Sequence, residues 1–292
     1  MILPISHERV SARRWPIVTT LLILACLAVQ GVITVTGTGD GAVYQRWGYV
    51  PASPSVLALL TSQFVHAGWI HLAGNMWFLF LCGITLEDRW GRAVFPLFYL
   101  GSGVAAALAH GLVSPGSTAP LVGASGAIAG CMGAFAVAFA RTPVRFLWLL
   151  SLRPSTFTAP AFVVIPVWAA FEAIQSWLLP SDGTSHVAHI GGFAFGVLAA
   201  LGLRATGVDR KLDDSVERVA TLGDDPRIDE ARRMVARGDA PTALAMLEGL
   251  ALEKPTSAHV QDAIADAARA TGDAPRADKA IARAIALRAA PR

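Results

Sequence analysis

Long apolar stretches dominate the first two thirds of the chain and end near residue 204. A helix needs about 20 mostly apolar residues to cross the hydrocarbon core of a bilayer. The sequence contains six such stretches, at 15–35, 66–86, 93–113, 121–140, 157–179 and 185–204. The first is longer than the core of a signal peptide, so we expect an uncleaved anchor. The pattern predicts an all-α, polytopic membrane protein with a bundle of six transmembrane helices.

Composition separates an apolar body from a polar tail. Hydrophobic residues make up 54% of the 292 residues, and charged residues make up only 15%. Residues 205–292 nevertheless carry 29 of the 45 charged side chains. We therefore expect a cytoplasmic N-terminal segment at 1–14, a membrane domain at 15–204, a linker at 205–228 and a helical cytoplasmic domain at 229–292.

Charge and cysteine content exclude several other classes of protein. The net charge of +3 comes from the membrane part, so no basic face for nucleic acid is expected. Cys26, Cys82 and Cys131 lie inside apolar stretches, without the spacing of a metal site or a disulfide framework. The sequence predicts packing roles for these cysteines, and neither a metal nor a cofactor.

Basic residues predict the orientation in the membrane, because cytoplasmic segments are enriched in Lys and Arg. If the N-terminus is inside, Arg46 is the only basic residue of the outer loops, which lie at 36–65, 114–120 and 180–184. The cytoplasmic basic residues are then Arg9, Arg13, Arg14, Arg89, Arg92, Arg141, Arg145, Arg153, Arg204, Arg210 and Lys211. We expect a multi-pass protein of the plasma or inner membrane with both termini in the cytoplasm.

Polar side chains collect at one depth in this topology. The second, fourth and sixth spans all run inward from the outer surface, and a helix rises about 1.5 Å per residue. Ser125, His189, His71 and Asn75 all lie near the outer ends of these spans. Polar groups that three helices carry to one level indicate a common site.

Small residues allow the helices that carry Ser125 and His189 to approach each other closely. Ser125 lies between Gly123 and Gly126, and His189 precedes Gly192. Small residues about one turn apart permit backbone contact between membrane helices. A neutral histidine suits the task of taking a proton from a serine hydroxyl near pH 7. The pattern therefore indicates a serine hydrolase, and it predicts hydrogen-bond reach between the two side chains.

Three motifs in this order resemble the rhomboid family of intramembrane serine proteases. They are His66-x4-His71-x3-Asn75 in the second span, Gly123-Ala124-Ser125-Gly126 in the fourth and Ala188-His189-x2-Gly192-x3-Gly196 in the sixth, and Gly83, Glu87 and Gly91 fit the same pattern. The resemblance covers roughly residues 40–204. It implies a six-helix core, a Ser–His dyad without a third acid, and cleavage in or beside the transmembrane segments of other membrane proteins.

The resemblance also implies roles for individual residues. Ser125 would be the nucleophile and His189 the general base and acid. An oxyanion hole would consist of His71, Asn75 and the backbone N–H of Ser125, since all three can donate hydrogen bonds. His66 would support the site, as would the glycines Gly123, Gly126 and Gly192.

Two further positions of the family pattern concern the rest of the membrane domain. Glu87 matches a structural position near the inner end of the second span. The first outer loop departs from the family, because it reads Arg46-Trp47 where many relatives have Trp-Arg. We therefore transfer no role to Arg46 or Trp47.

Two other functions fit parts of the pattern. A non-catalytic relative would only bind transmembrane segments, although such relatives usually lack the serine or the histidine. A proton or ion transporter would use His66, His71, His189 and Glu172, but its polar groups should continue past the midplane.

Two polar residues receive no role from the sequence. Glu172 is an ionisable group in the fifth span, and it is expected either to stay protonated or to pair with a neighbour such as Gln175. His186 lies one turn above His189, and we expect it to be near the surface and solvated.

The tail repeats itself with an offset of 34 residues. The sequence Gly-Asp-Ala-Pro at 238–241 recurs at 272–275, and each copy opens an Ala-rich helix, at 242–252 and 276–287. This offset is the period of tetratricopeptide repeats, which the tail resembles. A solenoid usually needs three or more repeats, so a partner protein, a second copy or the membrane is expected to support it. A solvated helical hairpin is an equal alternative.

Overall fold

The computed structural model describes residues 2–7, 13–37, 41–148, 155–178, 185–217 and 225–289. The chain divides into two compact units, of which the first comprises Met1–Ser11 and Pro16–Asp209, and the second Ala12–Trp15 and Arg210–Arg292. It is 74% helical, which confirms the predicted all-α class.

Most elements of the chain are helices. In chain order they are β1 Ile2–His7, α1 Ile17–Thr36, α2 Ala42–Trp47, α3 Val56–Thr61, α4 Trp69–Val113, α5 Ser125–Ala138, β2 Pro143–Trp148, β3 Ser155–Pro160, α6 Ala161–Leu178, α7 His186–Ala205, α8 Val208–Glu217, α9 Pro226–Ala236, α10 Ala240–Glu253, α11 Ala258–Ala270 and α12 Ala274–Ala289.

The longest helix, α4, contains two of the predicted spans. Gly91 interrupts it with φ 78° and ψ 171°, a conformation that only glycine adopts without strain. Each part, 69–90 and 92–113, is therefore about 33 Å long at 1.5 Å per residue, enough to cross a hydrocarbon core of about 30 Å. A single residue thus makes the turn between the second and third spans.

The other spans differ in length. Helices α1 and α7 have 20 residues each and are apolar enough to cross a membrane, as is α4. Helix α5 has only 14 residues and rises about 21 Å. Residues 126–135 of α5 are all buried, because α4 and α7 pack on this helix and α6 contacts it as well. Helix α5 is therefore both the shortest of these apolar helices and the one that its neighbours enclose most.

Helices α5 and α7 touch through their backbones. A Cβ atom added at Gly192 would overlap the carbonyl oxygen of Gly126, and one added at Gly196 would overlap the carbonyl oxygen of Gly130. A residue with a side chain at either position would separate the two helices. The small residues that predicted close packing therefore lie at the contact itself.

Two polar contacts hold helix ends together on the side of the bundle away from Ser125. Glu87 accepts hydrogen bonds from the backbone N–H groups of Val18 and Thr19, at 3.0 and 2.8 Å, and thereby caps the start of α1. Asp209 accepts two bonds from Arg89, at 2.9 and 2.6 Å. Burial raises the pKa of Asp209, but hydrogen bonds from Arg89 and Trp90 and the charges of Arg89 and Arg204 together hold that pKa below its usual value.

A small antiparallel sheet was not predicted. Strand β2 pairs with β1 on one side and with β3 on the other, and the rings of Phe146 and Phe157 stack across the second pair. The predicted fifth span at 157–179 is therefore too long at its start, because residues 157–160 belong to β3 and α6 begins at Ala161. The strands have six residues each; β2 and β3 are neighbours in sequence, whereas β1 lies about 140 residues before β2.

The second unit contains the 34-residue repeat. Gly238 and Gly272 both have positive φ, at 86° and 81°, and Asp239 and Asp273 each accept a hydrogen bond from the backbone N–H three residues on. Helices α10 and α12 begin two residues before the predicted starts. The assignment to tetratricopeptide repeats and the domain boundaries stay predictions, and residues 218–224 of the predicted linker lie outside the described residues.

The backbone contact between α5 and α7 leads to a testable expectation. We expect Gly196→Ala to lower the free energy of unfolding by about 1–3 kcal/mol, because the new methyl group has no space. Gly202→Ala on the same helix is the control, since a Cβ there meets nothing within 4 Å. Thermal unfolding in detergent should give a lower Tm for the first variant alone, and equal Tm values would contradict the contact.

Candidate active site

Ser125 is the first residue of α5, and the turn before it depends on glycine. Gly123 has φ 117°, in the region that residues with a side chain rarely adopt. Its N–H donates to the carbonyl oxygen of Ser62 at 2.8 Å, which fixes the turn to the preceding loop. The hydroxyl of Ser125 therefore lies at the N-terminal end of α5.

His189 lies in the first turns of α7, opposite this serine. Its Nε2 atom is 2.8 Å from Oγ of Ser125, and both residues are partly exposed. The start of α7 is fixed because the hydroxyl of Ser185 accepts a hydrogen bond from the N–H of Ala188. The close approach of α5 and α7 brings the two side chains within hydrogen-bond distance.

His71 and Asn75 lie on one face of α4, beside the turn that precedes Ser125. A Cβ atom at Gly123 would be 3.0 Å from Nε2 of His71 and 3.8 Å from Nδ2 of Asn75. Nδ1 of His71 accepts a hydrogen bond from the N–H of Ala67, so Nε2 carries the proton. The structure thus gathers two donors next to the turn.

His66 is fully buried behind this turn. Its Nδ1 donates to the carbonyl oxygen of Phe64 at 3.2 Å, and its Nε2 accepts from the N–H of Ala124 at 3.4 Å. Its ring also packs edge-on against the ring of His71, with centroids 5.3 Å apart. His66 therefore holds both the backbone before Ser125 and the ring of His71.

The other expected site residues have structural contacts. Gly126 and Gly192 form part of the backbone contact between α5 and α7. Ser125, His189, His71, Asn75 and His66 form a polar cluster. Glu87 is not part of it, because Glu87 caps the start of α1.

The sequence missed one member of the cluster. Oε2 of Glu172, on α6, lies 2.8 Å from Nδ1 of His189 and 2.8 Å from Nδ1 of His186. Glu172 therefore pairs with these histidines rather than with Gln175. The expected solvation of His186 was wrong, because only 5% of it is exposed. The signal was an ionisable group in a membrane span, which usually has a function.

This carboxylate also departs from the arrangement that the resemblance implied. A dyad without a third acid was expected, whereas an acidic group contacts the far side of the His189 ring. The described residues therefore form a chain of hydrogen bonds from Glu172 through His189 to Ser125.

The sequence of the membrane domain matches the model of one protein family, the rhomboid domain, over residues 53–206. The match covers more than half of the chain and includes every residue of the polar cluster. The chain belongs to the rhomboid family.

Several curated proteins are similar to this rhomboid domain. Rhomboid protease GluP of Bacillus subtilis is 34% identical over 150 residues, which are 51% of this chain and 27% of that protein. Putative rhomboid protease YdcA of the same organism is 29% identical over 201 residues, 64% of this chain and 87% of that protein. Rhomboid-like protein 11 of Arabidopsis thaliana is 32% identical over 151 residues, 50% of this chain and 51% of that protein.

The extent of these matches differs between relatives. The chain spans about half the length of the Arabidopsis protein and about a quarter of GluP. Family membership and the multi-pass membrane architecture apply to this chain, since the family match and the apolar helices agree.

The turn before Ser125 should be intolerant of a side chain. Gly123→Ala places a methyl group 2.8 Å from Cε1 of His71 at a strained φ, so we expect at least about a tenfold slower reaction of Ser125 with a fluorophosphonate. Gly74→Ala, on the same helix as His71, is the control because its Cβ meets nothing within 4 Å. Labelling of the purified protein in detergent measures both rates, and equal rates would show that the turn can relax.

Proposed function

We propose that this rhomboid protein is an intramembrane serine endopeptidase, which hydrolyses peptide bonds in or near the transmembrane segments of membrane proteins. The observation that carries the proposal is the 2.8 Å contact between Oγ of Ser125 and Nε2 of His189. The donors of His71 and Asn75 beside the same turn support it. Relatives named as proteases support it at the level of the family.

The first half of the reaction forms an acyl-enzyme. His189 takes the proton of the Ser125 hydroxyl as Oγ bonds to the substrate carbonyl carbon, and the carbonyl π electrons move to its oxygen. Nε2–H of His71, an N–H of Asn75 and the backbone N–H of Ser125 stabilise this oxyanion. The oxyanion then collapses, the C–N bond breaks, and the protonated His189 gives its proton to the leaving amine.

The second half uses water. His189 removes a proton from a water molecule, whose oxygen attacks the acyl carbon and forms a second oxyanion. The C–Oγ bond then breaks, the proton returns to Ser125, and a carboxylic acid leaves. No metal ion or cofactor takes part in these steps.

The length of α5 supports the supply of water. This helix is about 9 Å shorter than a hydrocarbon core of about 30 Å, so Ser125 at its outer end would lie below the membrane surface. Irregular backbone at such depth is tolerated only beside protein or a water-filled cavity. We therefore propose a wet pocket that opens to the extracytoplasmic side, with both termini in the cytoplasm.

The substrates in this proposal are transmembrane proteins within the bilayer. The peptide groups of a transmembrane helix are engaged in backbone hydrogen bonds, so the helix must unwind before Ser125 can attack. Gly and Pro disfavour the helix by about 1 and 3 kcal/mol relative to Ala. Segments with such residues near their outer end should therefore enter the site most readily.

The tail has a separate proposed role. The second unit buries a core that includes Leu247, Leu250, Val260 and Ile264, and it therefore has a hydrophobic core of its own. We propose that it binds a protein partner or a second copy of the chain.

The decisive experiment uses purified protein in proteoliposomes with a fluorescent transmembrane substrate. Ser125→Ala and His189→Ala should each reduce kcat at least about 1000-fold, because each removes a participant in proton transfer. Ser114→Ala, in the loop after α4, is the matched control and should keep the wild-type rate. Fluorophosphonate labelling should be lost in Ser125→Ala and retained in Ser114→Ala.

The same experiment distinguishes a protease from a non-catalytic rhomboid protein. Full activity in Ser125→Ala would reject the mechanism. No cleavage of any transmembrane substrate by the wild type, with binding retained, would support a non-catalytic protein that binds transmembrane segments.

The unwinding requirement predicts a substrate preference. Replacement of Gly or Pro by Leu near the outer end of a substrate segment should slow cleavage about tenfold, since a more stable helix opens less often. The comparison needs substrates of equal length and membrane insertion, with the same replacement near the inner end as control. Equal cleavage of all these substrates would contradict the preference.

A further inference from the structure

The carboxylate of Glu172 lies on the side of His189 that faces away from Ser125. Glu172 is 8% exposed and lies in the middle of α6, a helix that packs on α7. Its Oε2 is 2.8 Å from Nδ1 of His189, while Nε2 of the same ring is 2.8 Å from Oγ of Ser125. The two nitrogens of one imidazole therefore have different partners on opposite sides.

These partners select one protonation pattern of the ring. A carboxylate oxygen only accepts hydrogen bonds, so Nδ1 of His189 must carry the proton in its bond to Glu172. In a neutral imidazole the other nitrogen, Nε2, then has a free lone pair. That lone pair faces the hydroxyl of Ser125, which is the arrangement that proton removal requires.

A second contact from α6 fixes the orientation of the ring. Trp168 lies one turn before Glu172, and its ring centroid is 6.3 Å from that of His189. Residues four apart share one face of a helix, so α6 presents a flat ring and a carboxylate to the same imidazole. The ring can therefore turn only at the expense of both contacts.

His186 stabilises the carboxylate itself. Its Nδ1 donates to the same Oε2 atom at 2.8 Å, and its side chain is buried. A buried carboxylate is costly without hydrogen bonds, and two donors on one oxygen reduce this cost. His186 thus holds Glu172 in the position from which it contacts His189.

We propose that Glu172 is a positioning residue of the proposed protease, which holds His189 in the reactive tautomer and stabilises its imidazolium form after Ser125 has lost its proton. The proton stays on Nε2 of His189 until it passes to the leaving amine, and Glu172 keeps its negative charge throughout. The attraction between the two charges is strengthened because Glu172 is buried. The site thus operates as a Ser–His–Glu triad, and the inference rests on the function proposed above.

The same three groups suggest a competing role. Donor atoms of Glu172, His186 and His189 lie within 4.8 Å of one another, close enough to hold a divalent metal ion. A metal bound to Nδ1 of His189 would leave the proton on Nε2 and remove the lone pair that faces Ser125. Metal binding and the positioning role therefore predict opposite effects of a chelator.

The test compares Glu172→Gln with Glu172→Asp in proteoliposomes. Glutamine has the same shape but no charge, and its amide can donate to Nδ1 and favour the wrong tautomer. We expect kcat to fall about 100-fold or more, with KM within about twofold of wild type. Aspartate keeps the charge but is shorter, so Glu172→Asp should retain more activity than Glu172→Gln.

The order of kcat in these two variants distinguishes a positioning role of Glu172 from a role in packing alone. If Glu172 only filled space, the isosteric Gln variant would be the more active one. Gln175→Leu, on the same helix three residues on, is the matched control for loss of a polar group and should keep the wild-type kcat. Fluorophosphonate labelling of Ser125 should slow in parallel with kcat, since it reports the nucleophile without a peptide substrate.

Each outcome decides between the proposals. If Glu172→Gln keeps a kcat within twofold of wild type while Ser125→Ala is inactive, the triad is wrong and the protease function stands. If Ser125→Ala is active, the protease function itself is wrong. Activity lost with EDTA and restored by Zn²⁺ would assign the cluster to a metal instead, whereas the triad predicts an unchanged or higher rate with EDTA.

Discussion

The backbone contact between α5 and α7 is the constraint on which the site depends. Each helix contributes glycines, and the carbonyl oxygens of Gly126 and Gly130 occupy the space that side chains at Gly192 and Gly196 would need. This close approach brings Oγ of Ser125 within 2.8 Å of Nε2 of His189 on the other helix. Between lipid-embedded helices no hydrophobic force favours such an approach, so close packing must supply it. The contact between α5 and α7 therefore both stabilises the bundle and holds Ser125 beside His189.

The environment of each imidazole determines which of its nitrogens carries the proton. In His66 and His189 the Nδ1 atom donates, to a backbone carbonyl and to a carboxylate respectively. In His71 the Nδ1 atom accepts instead, which leaves its Nε2 as a donor. Identical side chains thus differ in the nitrogen that donates, and the difference lies in the groups around them.

Much of the bundle and most of the cluster could be predicted from sequence because their signals are local. Apolar length marked the spans, and the glycines around Ser125 marked a helix that packs closely. The contacts of Glu172 could not be predicted because its partners are on another helix. The nearly uniform apolar sequence of α6 does not determine which of its faces meets that helix. The pairing of β1 with β2 escaped for a similar reason, since it joins segments about 140 residues apart.

The short central helix also affects how the bundle is assembled. With 14 residues, α5 rises only about 21 Å and is too short to cross a hydrocarbon core of about 30 Å on its own. Its neighbours, by contrast, are long enough to insert one at a time. We therefore expect α5 to reach its final place only as α4 and α7 close around it, so that Ser125 meets His189 late in biogenesis.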